Sequence, residues 1–289
     1  MRWQPAHETH AIERVTVTLM FAEHISTKPW QMLLPLATRD LSKLGFQAAP
    51  DAPQLAQNLP QSAPGVAQLV INIGANPVAF GNVGGGIPFS RNFQYIEAGE
   101  ARDEIIVARN MFLFTTTFYG GWASLRNRFA EALNNHISIA LNTVNIGAIK
   151  IEYWDRFVSE DSADAADYKG LLDIASKYVP KFGFETEGLW HSHVGLFVEP
   201  GSSERRLVNL NIDVVDIAEA PEAGAVMAEP AQKRSVGIYS MVQDTPRPGA
   251  PLESAAAIYS TLDEMHTILK VVLADAITDA ASDRIALNP

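Results

Sequence analysis

Between Leu189 and Ile217 the chain runs out and returns on itself. Leu189 to Val198 and Arg205 to Ile217 both read as strands, and only Glu199-Pro200-Gly201-Ser202-Ser203-Glu204 separates them. A strand that reverses over so short a turn-forming link pairs antiparallel with its predecessor. A parallel return needs a crossover of about a dozen residues or more. The hairpin therefore argues against a doubly wound parallel sheet and for an α+β fold, with antiparallel strands packed by amphipathic helices.

The rest of the chain agrees with that class. Ile12 to Phe21 alternates Val15, Val17, Leu19 and Phe21 with Arg14, Thr16, Thr18 and Met20, the period of a half-buried strand. Val66 to Ile73, Ile105 to Tyr119, Asn145 to Val158 and Ser235 to Gln243 read as further strands. Trp30 to Leu44 reads as a helix with a Met32, Leu33, Leu36, Leu41 and Leu44 stripe, broken or started by Pro35. From Trp122 to about Leu141 a helix carries Leu125, Phe129, Leu133 and Ile137 on one side. Tyr168 to Val179 reads as a short helix stopped by Pro180. A long C-terminal helix follows Pro251, its apolar stripe running from Ile258 through Leu262, Met265, Leu269 and Val272 to Ala280. Residues 1–289 read as one domain, with two related halves, about 1–160 and 161–289, as the alternative.

Composition narrows the function classes. The net charge is −11, and the basic residues are scattered, which disfavours nucleic acid and anionic lipid as partners. There is no cysteine, so disulfides, thiol catalysis and Cys-ligated metals are excluded. No apolar signal core follows Met1 and no run is long enough to cross a bilayer, so the cytoplasm is the expected compartment.

No catalytic motif is present, but three constellations invite chemistry. His191 and His193 project from the same face of their strand. If Trp190, Val194, Leu196 and Val198 of the first strand and Val208, Leu210, Ile212 and Val214 of the second share the core face, the opposite face of the hairpin carries His191, His193, Asn209, Asn211 and Asp213. Two imidazoles and a carboxylate suit zinc, iron or manganese, so a divalent metal at His191, His193 and Asp213 is the cofactor this pattern allows. The bland alternative is the polar face that antiparallel sheets routinely show. His7-Glu8-Thr9-His10 precedes the first long strand and reads as an exposed arm. Gly81-Asn82-Val83-Gly84-Gly85-Gly86 lacks the order of a phosphate-cradling loop, so Gly84, Gly85 and Gly86 read as a partner-contact loop. His136 and His266 read as boundary histidines.

Tyr119-Gly120-Gly121-Trp122-Ala123-Ser124-Leu125-Arg126, leading into the helix that ends near Leu141, is followed by Ile149-Lys150-Ile151-Glu152-Tyr153-Trp154-Asp155-Arg156-Phe157. Together they resemble an uncharacterised, sporadically distributed bacterial family of roughly this length. It pairs a Y-x-x-W-x-x-F helix start with an L-R-Y-I-N-R-I-like strand. Glu152 stands where that family has Arg, and Asp155 where it has Asn. Leu210-Asn211-Ile212-Asp213 and Leu262 to His266 also fall where it has similar features. The resemblance carries no activity. It directs attention to Trp122, Tyr153 and Asp155 as ligand or partner contacts, with core anchoring as the plainer role for Trp122 and Tyr153. Sporadic distribution suits a mobile bacterial system such as defence or toxin–antitoxin.

The sequence thus favours a non-catalytic binding or assembly protein, homodimeric through its sheet or its long helix, with no resident cofactor. A hydrolase-like metal enzyme centred on His191 and His193 is the first alternative. A small-ligand binder, with Phe112, Phe114 and Trp154 around a cavity, is the second.

Overall fold

The computed structural model describes residues 2–49, 89–198, 203–218, 232–247 and 252–287. Ten strands form one antiparallel sheet in the order β3-β4-β5-β6-β2-β7-β10-β9-β8, with β1 pairing β7. They are β1 (Trp3–Pro5), β2 (Ile12–Phe21), β3 (Gln47–Ala49), β4 (Ser90–Glu97), β5 (Glu100–Ala108), β6 (Met111–Thr116), β7 (Ile146–Ser162), β8 (Trp190–Val198), β9 (Ser203–Ala218) and β10 (Gln232–Pro246). Among the described residues the helices are α1 (Thr27–Lys43), α2 (Trp122–Leu141), α3 (Ala255–Ala276) and α4 (Asp279–Arg284). The fold is α+β, rich in strand, with the long helix α3 near the C-terminus.

Period-two patterning decides which way the sheet faces. Val15, Val17 and Leu19 of β2 lie across from Tyr153, Ile151 and Ile149 of β7. They share one hydrophobic cluster with Phe112 and Phe114 of β6, Val208, Leu210 and Ile212 of β9, and the buried residues of all four helices. This is the helix face. Among the described residues, the opposite face has only a small apolar cluster of its own, Ile106, Ala108, Met111 and Leu113. Burying one large apolar side chain contributes roughly 1.5–3 kcal/mol, so the helix face holds most of the stabilising burial. That cluster runs from Trp3 to Ile285.

Several elements differ from the sequence pattern, each for a local reason. Pro35 lies inside α1, which runs through it; the buried stripe is Trp30, Leu33, Leu34, Ala37 and Leu41, while Met32 is exposed. The region 105–119 is two strands, β5 and β6, turned at Arg109 and Asn110 without the glycine or proline that usually marks a tight turn. No α-helix forms over Tyr168 to Val179. A 3-10 turn covers Tyr168–Gly170, and Leu171, Leu172, Tyr178 and Val179 are buried from irregular backbone, so their apolar character serves packing and not a helical stripe. The last helix breaks at Ile277, which is extended and lies beside the isolated bridge between Leu172 and Ile277; Thr278 then caps α4. The strand expected at Val66 to Ile73, the Gly81 to Gly86 segment, Pro251 and most of the Ala218 to Lys233 stretch lie outside the described residues. No helix among the described residues is long and apolar enough to cross a membrane.

Candidate functional site

The face opposite the helices carries polar and charged side chains across the whole sheet. Strand registers place Gln94, Glu104, Thr115, Thr16, Glu152, Met241, Asn209 and Gly195 in one row from β4 to β8. The row beside it runs Arg14, Trp154, Tyr239, Asn211 and His193. Arg14, Glu104, Lys150 and Glu152 are all buried, two cations against two anions. Burying charge is costly unless it is paired and hydrogen-bonded, and Glu152, Lys150 and Glu104 have such partners. Glu152 accepts the Tyr239 hydroxyl at 2.6 Å and pairs with Lys150 at 2.9 Å. Glu104 accepts from Asn92 and, at 3.2 Å, from Gln94. The Arg14 guanidinium lies 3.8 Å from the centre of the Trp154 ring. Burial pushes Arg14 down to about 10, against the pull of Glu152, and it stays charged at neutral pH.

The hairpin stripe is part of this face. His191 pairs with Asp213, His193 with Asn211 and Gly195 with Asn209. At Gly195 a Cβ would meet Asn209 Oδ1 at 2.5 Å, so a larger residue there must displace the end of the Asn209 side chain. Asn211 Oδ1 is buried without a hydrogen-bond partner. Burial raises the Asp213 carboxyl despite His191 and Arg156 nearby. Both imidazoles are exposed, and among the described residues no three His, Asp or Glu side chains are placed to hold a metal ion. His191, His193 and Asp213 therefore share a face without forming a closed ligand set.

Trp122, Tyr153 and Asp155 come together on the other side of the sheet. The Trp122 ring, at the start of α2, stacks on His266 of α3 with centroids 4.5 Å apart and planes 10° from parallel. Trp122 Nε1 donates to Asp263 at 2.8 Å. His266 Nδ1 lies 3.0 Å from the Tyr153 hydroxyl, and Tyr153 meets Tyr119 edge to face at 5.9 Å. His10 closes the chain of rings against Tyr119 at 5.6 Å. Burial controls the proton chemistry here. It pushes Asp155 up to about 7, with Glu13 adding to the effect, and pushes His266 down to about 4, with Lys270 adding. It also raises Tyr119 to about 12 and Tyr153 well above its ordinary value. His266 is thus neutral at physiological pH, and in the tautomer with Nδ1 bare it accepts a hydrogen bond from the Tyr153 hydroxyl. Asp155 Oδ1 has no hydrogen-bond partner.

His10, Tyr119 and His266 were not singled out by the sequence as members of one cluster. The strand parity was available, since Asp155 shares its face of β7 with Ile149, Ile151, Tyr153 and Phe157. The convergence of the N-terminal arm, α2 and α3 upon it was not. Gly84, Gly85 and Gly86 lie outside the described residues. No family model matches this chain, nor does any curated protein or solved structure.

Proposed function

We propose that this is a non-catalytic assembly protein that pairs with a second copy of itself along β8. The free edge of the sheet carries the reading. β8 ends the strand order and, among the described residues, pairs only with β9. Soluble monomers blunt such edges with charge, proline, bulges or shortness. β8 has none of these: it is nine residues, Trp-His-Ser-His-Val-Gly-Leu-Phe-Val, in unbroken register with β9. Leu196, Phe197 and Val198 are exposed at 39%, 64% and 39%. The other edge, β3, is three residues long and is protected by that shortness.

An edge strand meets its own copy most simply by antiparallel addition about a two-fold axis, which closes the assembly as a dimer. Centred on Val194, the pairing covers the apolar end of each β8, setting Phe197 of one copy across from His191 of the other and Leu196 across from Ser192. The family resemblance supports placing such a dimer in a mobile bacterial system, defence or toxin–antitoxin, within the cytoplasm. Sedimentation and light scattering of wild type, Phe197→Glu and Val194→Pro test the reading. The wild type should be a dimer at micromolar concentration, and both variants should be monomers with unchanged far-ultraviolet circular dichroism. A monomeric wild type, or a dimer indifferent to both substitutions, would reject it.

A further inference from the structure

Where α2 and the link after α1 cross β4, β5 and β6, a cleft of about 590 Å³ opens on the helix face. That volume suits a metabolite-sized ligand. Its walls are aromatic: Phe46, Tyr95, Phe114 and Phe118 line it, and Phe118 is 47% exposed at the rim. Tyr95 and Phe46 hold their rings 5.8 Å apart. Gly45, with φ at +88°, lets the link pass closely over Tyr95, where a Cβ would sit 3.2 Å from the ring.

The charges in the cleft are unequal. Two guanidiniums, Arg102 and Arg128, face three carboxylates, Glu97, Asp103 and Glu131. Both cations are committed. Arg128 pairs with Asp103, donates to the Phe118 carbonyl at 2.6 Å and lies 5.5 Å from the Phe118 ring centre. Arg102 pairs with Glu97 at 3.0 Å and lies 5.0 Å from the same ring. Glu131, exposed on α2, makes no ion pair among the described residues. The uncommitted charge is therefore negative, and aromatic faces also attract cations.

We propose that this cleft binds a small organic cation, its ammonium group at Glu131 and its apolar body against Tyr95 and Phe46. The site is separate from the β8 edge and stands or falls independently of it. The test is an amide NMR titration of the full chain with three probes of one skeleton: 2-phenylethylammonium, 3-phenylpropionate and 2-phenylethanol. The ammonium should shift resonances of Gly45, Phe118 and Ala132 and bind about tenfold tighter than the carboxylate. Glu131→Gln should weaken the ammonium by up to about fivefold and leave the alcohol unchanged, the size of effect an exposed charge pair gives. Phe118→Ala should weaken both. Equal or tighter binding of the carboxylate, no response of the cleft to any probe, or ammonium binding indifferent to Glu131→Gln would overturn the proposal.

Discussion

Asp155 lies across from Ile12 on one side and Ile238 on the other, a carboxyl set into the helix face of the central strand. The folded protein holds its proton up to about pH 7, whereas the unfolded chain releases it near 3.8. The folded state therefore binds more protons between those values, and stability falls as pH rises through that window. The full cost at pH 8 is about 4 kcal/mol. His266 works in the other direction. Its folded value of about 4 lies below the unfolded 6.5, so its contribution is intact above 6.5 and is lost as pH falls toward 4. Between pH 4 and 6.5 the two slopes oppose and largely cancel. Asp155→Asn should raise the urea midpoint at pH 8 by several tenths of the wild-type value, give little gain at pH 4, and leave a variant that loses stability steadily with acid below pH 6.5. An Asp155→Asn gain of the same size at every pH would show that the carboxyl's proton plays no part.

At the scale of elements, β8 is held by what lies beneath its first residue. Trp190 is buried against Phe182 and Tyr168, at ring distances of 5.9 and 6.0 Å. Gly183, in the 3-10 turn Lys181–Phe184, leaves room for it: a Cβ there would stand 2.7 Å from Trp190 Cζ2. Gly183→Ala must push the indole aside, at about 1–3 kcal/mol of stability, and should both shift the Trp fluorescence and weaken dimerisation through β8. Unaltered fluorescence with unaltered stability would mean the turn absorbs the methyl group. This coupling was illegible in the sequence, because Tyr168 to Val179 has the apolar content of a helix but packs as irregular backbone, with Tyr168 against Trp190 and Leu171 and Leu172 in the core. The hairpin β8–β9, by contrast, was readable in direction and parity but not in register, and Leu196 and Val198, expected on the core face, are exposed. A six-residue link and an alternating strand fix both direction and parity, which places Asn209, Asn211, Asp213, His191 and His193 on one face. Alternation tells which residues share a face, but not that Arg14, Glu104 and Glu152, from three other strands, continue the polar stripe. That depends on strand order, which only long-range pairing sets.

For the whole molecule, β7 is the strand on which both halves depend. It is seventeen residues long and pairs with β1 and β2 on one side and with β10 along the other. A chain cut near residue 160 would keep β7 but lose β10, and with it α3, which packs on both strands. Phe157, Ile151 and Ile149 would lose Val236, Val242 and the apolar stripe of α3, and an edge of more than a dozen unpaired residues would open in the centre of the sheet. The 1–160 fragment should therefore lack a cooperative thermal transition and aggregate at micromolar concentration, while the full chain melts in a single transition. Mixing separately expressed 1–160 and 161–289 segments should restore that transition if the break alone was harmful, since β10 and α3 can then re-pair with β7. A soluble 1–160 fragment with its own sharp melt would instead make the N-terminal half an autonomous unit. In that case β7–β10 would be a docking interface between two folded bodies, and the free edge at β8 would lie on the second of them.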